Sequence, residues 1–344
     1  MKTQSVLIAL ALGLGLAAST AAGAQESITV AAFGGAYQKQ TRDAWFQPAA
    51  DKLGVKLTMD TIGTVANLRA HVQGGATNWD VVLIAGSSCA AAASEKLIQP
   101  LDYKVIDADG IPKNMITDST IGVLQYSTLL AWNKKTVKKE PKSWADFWDV
   151  KNFPGPRGFD ARPTFSLEIA LMADGVPTDK LYPLDIERAF NKIAPFRPNI
   201  QAYFPNGAVA VQLIKDGEVD MLPLFENRVH ELIRDGVPLG FTLNQAIVDI
   251  NCLAIPRNSA KRDLAMRFIA EVVKPEINAR IASTSDMSPT NAKAFAMGLI
   301  SPERAKSLSS LPANMSNQVL LDARWWTPHL NELGQRYKAL ISGR

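Results

Sequence analysis

Asp160 and Arg162 stand two positions apart, and Glu226 and Arg228 repeat that spacing later in the chain. A carboxylate can hold an ammonium group or move a proton, and an arginine grips a carboxylate through parallel N–H donors. Both pairs could therefore bind a small charged solute. Asp160 and Glu226 could alternatively act as an acid/base couple in an exported enzyme. Gly34-Gly35 and Gly86-Ser87-Ser88 offer a different capacity. Glycine lets backbone N–H groups approach a solute closely, and serine hydroxyls donate or accept.

Other chemistries lack their residues. There is no G-x-S-x-G nucleophile elbow and no G-x-x-x-x-G-K-[ST] phosphate loop. His71, His230 and His329 are far apart, with no cysteine or histidine at metal-ligand spacing. No catalytic set, metal or other cofactor is expected. Cys89 and Cys252 could pair or remain two buried thiols; a chain of this size needs no staple.

The elements that must position these residues follow an alternating pattern. Ile28 to Phe33 reads as a buried strand that stops at Gly34-Gly35. Trp45, Ala49 and Leu53 then fall on one helical face, ended by Gly54. Val55, Leu57 and Met59 alternate as a strand does; Val65, Leu68 and Val72 are helical; Val81 to Ile84 is a second buried run, closed by Gly86-Ser87-Ser88. Strand and helix in alternation predict a mostly parallel sheet in an α/β protein, with ligands at the carboxyl ends of the strands. Ser143 caps a helix through Trp148, Ile186 to Ile193 is helical, and Gly217 leads into a strand over 219–222. A further helix carries Val229 and Leu232, and residues from 261 onward are mainly helical.

The chain has 344 residues, 47% hydrophobic and 20% charged, which argues for ordered structure and, by length, for two lobes. A formal charge of +4, evenly spread, gives no nucleic-acid footprint. Residues 1–24 read as a secretory signal: Lys2, an uncharged apolar run from Val6 to Ala18, then Ala22-Gly23-Ala24 as the cleavage site. Gln25, not cysteine, follows the cut, so no lipid anchor is expected. The mature chain should be periplasmic and soluble.

From Ser143-Trp144-Ala145-Asp146-Phe147-Trp148-Asp149 the chain resembles the bacterial periplasmic spermidine/putrescine-binding proteins and their relatives that bind smaller solutes. The likeness continues through Phe159-Asp160-Ala161-Arg162, Asp216-Gly217-Glu218-Val219, Cys252-Leu253-Ala254-Ile255-Pro256 and Ser288-Pro289-Thr290-Asn291. It implies a two-lobed type II periplasmic-binding fold, closing over a solute in the cleft and delivering it to an inner-membrane ABC permease, as a monomer. Lobe one would comprise 25–133 and 251–290, lobe two 134–250, and residues 291–344 would add helices mainly to lobe two.

The resemblance also implies a site, and the chain departs from it. Tyr37 matches a first-loop aromatic, but Ala36 stands where an acidic residue is expected. Asp160 matches a site carboxylate, and Pro163 replaces a glutamate. Phe225 replaces a tryptophan, with Glu226 after it and Arg228 nearby. The glycine pair followed by tyrosine, and Tyr126-Ser127-Thr128 before a strand, resemble relatives that take amino-acid-like solutes. The family's W-x-D aligns with Asp249-Ile250-Asn251, an aspartate for the tryptophan and an amide for the carboxylate. A long doubly charged polyamine would leave one ammonium poorly paired, at a cost of several kcal/mol. Gly34, Gly35, Tyr37, Ser87, Ser88, Thr128, Asp160, Arg162, Phe225, Glu226, Arg228, Asp249 and Asn251 are therefore expected around a smaller amine-bearing or zwitterionic solute of the 4-aminobutyrate kind. A small carboxylate, or ferric iron on the same fold, is the alternative.

Overall fold

The computed structural model describes residues 25–76 and 78–343; the expected signal segment over 1–24 lies outside them. Ser27–Ala32 (β1), Lys56–Thr61 (β2) and Val81–Ala85 (β3) run parallel in the order β2-β1-β3. β3 is buried over Val81 to Ile84, as suits a strand covered on both faces. The helical pattern after β1 is realised as Ala36–Thr41, a π-helical turn over Arg42–Phe46, and Gln47–Leu53. Gly54 ends it in the left-handed conformation, at φ 68°.

Ile121–Asn133 (β4) then crosses out of this lobe. Tyr126-Ser127-Thr128, expected just ahead of a strand, lie in the middle of this 13-residue one. With Gln125 they make four polar residues that interrupt the apolar run where the sheet passes beneath the cleft, and this hides the strand from a search for periodicity. Arg157–Asp160 (β5), Ile200–Phe204 (β6) and Met221–Phe225 (β7) form a second parallel set. Leu239–Ala254 (β8) returns antiparallel to β4. The sheet order is β2-β1-β3-β8-β4-β7-β5-β6, with Ser288–Pro289 (β9) added to β4 and Val319–Leu320 (β10) to β8.

Two hydrophobic cores lie on either side of the crossing strands. The first gathers Trp45, Phe46, Leu83, Phe268 and Ile269; the second gathers Trp144, Phe147, Phe159, Leu167 and Tyr337. The last helix, Ala323–Ile341, joins the second core through Trp326, Leu333 and Tyr337. Ala294, Ile300 and Leu308 instead cluster with Ala279 and Ala282, beside Ile277 and Ile281 of the first core. The segment beyond 290 is thus divided between the two.

The β4–β8 ladder is irregular at two places, between Gly122 and Leu124 and between Thr128 and Leu130. Opposite the second, Gln245 has φ 59°, and its side-chain and backbone oxygens accept from the backbone N–H and indole N–H of Trp144, at 3.0 and 2.9 Å. Bulges bend a strand locally, so the stretch carrying Tyr126 is bracketed by two bend points. Cys89 and Cys252, left open by the sequence, form a disulfide with Cα atoms 6.7 Å apart. It ties helix Gly86–Ser94 to β8 across 163 residues of chain, a link of the kind that contributes about 2–4 kcal/mol.

Candidate functional site

The ends of β1 and β3 bring the two glycine segments to the crossing strands. Gly35, at φ 72°, turns the chain into the helix that presents Tyr37. Gly86 follows β3, where a Cβ would lie 2.9 Å from Asp249 Oδ1 and 3.3 Å from Ile250. A side chain at 86 would push β8 away. Ser87 is exposed and Ser88 half-buried at the start of this helix.

Asp249 and Asn251 alternate with Ile250 along β8, so both point to one face. The carboxylate missing at 251 is therefore shifted about 7 Å along the same face, not removed from it. Asp249 is 7% exposed. Its Oδ2 accepts from the Tyr126 hydroxyl at 2.6 Å and its Oδ1 from the Ile250 N–H at 2.7 Å. Burial raises its pKa, against the pull of those two bonds. Among the described residues no cation pairs with it. Asn251 Nδ2 donates to the Tyr37 hydroxyl at 2.6 Å. Burial drives the Tyr37 and Tyr126 phenols upward, and the Asp249 charge adds to this at Tyr126. Both phenols stay neutral at physiological pH.

The second lobe supplies the facing wall. Thr128 of β4 pairs with Phe225 of β7. The Phe225 ring lies 6.0 Å from Tyr126 and 5.8 Å from Phe165, edge-on to both. Arg162 closes on Asp160 through Nε and Nη2 at 2.9 and 2.5 Å, and its guanidinium carbon is 5.8 Å from each phenylalanine ring. Asp160 is held from behind, its carbonyl accepting from Tyr337 and Ser166. The Thr128 and Ser127 hydroxyls are buried with no partner among the described residues. A narrow cavity reaches Thr128, Asp160, Arg162 and Phe225. A larger opening of about 950 Å³ is lined by Gly86 and Asp249 together with Tyr182, Asp322 and Arg324.

The structure thus brings together Tyr37, Asn251, Asp249, Thr128, Phe225, Arg162 and Asp160. Glu226 is engaged elsewhere: buried, its oxygens accept from Ser288 Oγ at 3.1 Å, Ser309 N at 2.8 Å and Ser309 Oγ at 2.6 Å. It joins the second lobe to the segments beyond 287, with three of its about four acceptor sites taken by those two serines, and it does not line the cavity that reaches Asp160. Arg228, in the first turn of the helix Glu226–Arg234, pairs with half-buried Glu231 at 2.7 Å. Gly86 and Tyr126 belong to segments the sequence offered, Gly86-Ser87-Ser88 and Tyr126-Ser127-Thr128; Phe165 was not singled out by the sequence. Phe165, following Pro163 inside an apolar helix, carries no such signal.

Two lobes, two crossing strands and a cleft with charged and aromatic walls define a solute-binding protein. Residues 42–310 match the family described as bacterial extracellular solute-binding protein, and the chain belongs to that family. It is 32% identical over 336 residues, 94% of each chain, to the gamma-aminobutyric acid-binding protein of Pseudomonas aeruginosa. It is 26% identical over 234 residues to the spermidine/putrescine-binding periplasmic protein of Escherichia coli K12, covering 63% of this chain and 64% of that one. The crystal structure of an ABC transporter substrate-binding protein from Bradyrhizobium japonicum USDA 110 superposes with a TM-score of 0.84 at 37% identity, over 92% of this chain and 99% of that one. The resemblance to polyamine binders and their small-solute relatives is met on both sides. Such proteins capture solutes and work with membrane permeases. No helix among the described residues is long and apolar enough to cross a membrane.

Proposed function

We propose that this protein is the periplasmic binding component of an ABC importer for a short zwitterion with amine and carboxylate at opposite ends, 4-aminobutyrate being the reference solute. The carrying observation is Asp249, a buried carboxylate at the floor of the cleft with no cation paired to it among the described residues. A buried unpaired charge is costly, and a solute ammonium would relieve it. Tyr37, Tyr126 and Phe225 then flank the aliphatic stem and favour the cationic end.

The solute carboxylate falls to Arg162, which lines the narrow cavity with Thr128 and Phe225, and the Ser87, Ser88 and Thr128 hydroxyls and the Gly34-Gly35 backbone complete the cleft. A polyamine fits poorly because Asp160 is already committed to Arg162, leaving a second ammonium unpaired. A plain carboxylate fits poorly because it would face Asp249 unneutralised. Closure bends β4 and β8 at their irregular points, moving residues 25–121 with 252–290 against 134–247 and the last helix. The protein acts as an exported monomer.

Titration calorimetry on refolded, solute-free protein with 4-aminobutyrate, putrescine and butyrate tests this. The expected result is binding of 4-aminobutyrate at least tenfold tighter than either single-charge-type solute. Tighter binding of putrescine, or of butyrate, overturns the reading. Mass spectrometry of material released from freshly purified, denatured protein identifies the natural solute directly.

A further inference from the structure

The helix Pro163–Ala173 does not begin as a regular helix. Thr164 has φ −60° and ψ 133°, and Phe165 has φ 72° and ψ −41°. These are the dihedrals of a type II turn, whose third residue needs positive φ and is ordinarily glycine. For a bulky aromatic side chain that conformation is strained, and such strain persists only where the surrounding structure imposes it. Here the surroundings are the cleft wall. Phe165 is 5% exposed, its ring is edge-on to Phe225 at 5.8 Å, and the Arg162 guanidinium carbon lies 5.8 Å from both rings. Phe225 in turn contacts Tyr126, whose hydroxyl is on Asp249.

A glycine at 165 would satisfy the turn without strain, but it would leave Phe225 and Arg162 without their backing. The outer shell of the cleft would then be free to shift. We propose that Phe165 is a positioning residue for solute recognition: the strained turn sets its ring behind Phe225 and Arg162, fixing the distance between the anion-binding and amine-binding ends of the cleft. This rests on the reading of the cleft as a site for a short zwitterion. Its specific consequence is chain-length discrimination. With both walls fixed, 4-aminobutyrate spans the site and a solute two methylenes longer does not.

Calorimetry with 4-aminobutyrate and 6-aminohexanoate on wild-type, Phe165→Gly and Phe165→Tyr proteins decides the matter, with thermal melting confirming that each is folded. The wild type and Phe165→Tyr, which keeps the ring, are expected to prefer the shorter solute by at least tenfold. Phe165→Gly, which can adopt the turn freely, is expected to lose at least tenfold of that preference while still melting cooperatively. If it unfolds, Phe165→Leu serves in its place, with the same expected loss. A folded variant without the ring whose preference equals that of the wild type overturns the inference and leaves the solute class standing. Wild-type protein that binds neither amino acid removes the solute class, and this inference with it.

Discussion

Tyr126 and Asp249 face each other across the two crossing strands, phenol to carboxylate at 2.6 Å, within the run of four polar residues from Gln125 to Thr128 in β4. The contact belongs to both lobes' connecting strands, so it stays in place whichever way the lobes move. A charge placed there meets a solute at the pivot.

Asp249→Asn separates the charge from the shape. The amide oxygen can still accept from Tyr126, so the local geometry survives while the negative charge goes. Burial raises the pKa of Asp249, so the folded state prefers the protonated acid and the ionised form at neutral pH weakens folding. The variant is expected to melt at or above the wild-type temperature at pH 7.5. Its affinity for 4-aminobutyrate is expected to fall by at least tenfold, about 1.4 kcal/mol or more. Calorimetry and a thermal melt on the same sample check both halves; unchanged affinity would place the ammonium elsewhere.

The two arginines make a second contrast. Arg162 carries a bidentate bond to Asp160, which is itself 5% exposed, whereas Arg228 carries a half-buried pair with Glu231 on its own helix. Arg162→Ala leaves a buried carboxylate without its donor, and is expected to lower stability by about 1–3 kcal/mol. Arg228→Ala is expected to leave the melting temperature within a degree or two. It should leave the affinity for 4-aminobutyrate within about twofold, whereas Arg162→Ala should weaken 4-aminobutyrate at least tenfold and leave binding of a simple amine such as butylamine unchanged. Equal losses of both solutes in Arg162→Ala would show that Arg162 does not read the carboxylate.

Much of this arrangement was legible from the residues. The apolar runs at Val81–Ile84 and Ile28–Phe33, and glycine at position 54, place strands and a helix end correctly because each depends on local sequence alone. The crossing strands were not legible by periodicity, since Tyr126-Ser127-Thr128 are polar for the sake of the cleft. Glu226 shows the opposite failure. Its position beside Phe225 suggested a solute contact, yet Ser288 and Ser309, more than sixty residues on, take its carboxylate. Nothing near Glu226 in sequence announces those partners. Phe165 was hidden because its importance lies in a backbone conformation that phenylalanine does not favour.

Glu168 carries a pH signature distinct from the cleft. It is buried behind the Phe165 turn, and its Oε1 accepts from the Tyr182 hydroxyl and the Trp326 indole, each at 2.6 Å. Oε2 has no partner among the described residues. Burial pushes its pKa up to about 7, the two hydrogen bonds opposing the shift. An unfolded glutamate titrates near about 4.3, so the folded state holds the proton more tightly. Its stabilising effect is therefore complete below about pH 4 and is lost as pH rises through about 7, where both states become ionised. The full loss is on the order of 3 kcal/mol. Glu168→Gln keeps the acceptor for Tyr182 and Trp326 and cannot ionise. Relative to the wild type it is expected to gain stability steadily from pH 5 to pH 8, by roughly 1–3 kcal/mol at the upper end. Asp249 contributes in the same direction and His71, whose pKa burial lowers, in the opposite one, but both are common to the two proteins. Denaturant melts at half-unit pH steps give the difference curve. Parallel stability curves would mean that Glu168 is ionised in the folded protein throughout this range, and that Tyr182 and Trp326 alone carry its charge.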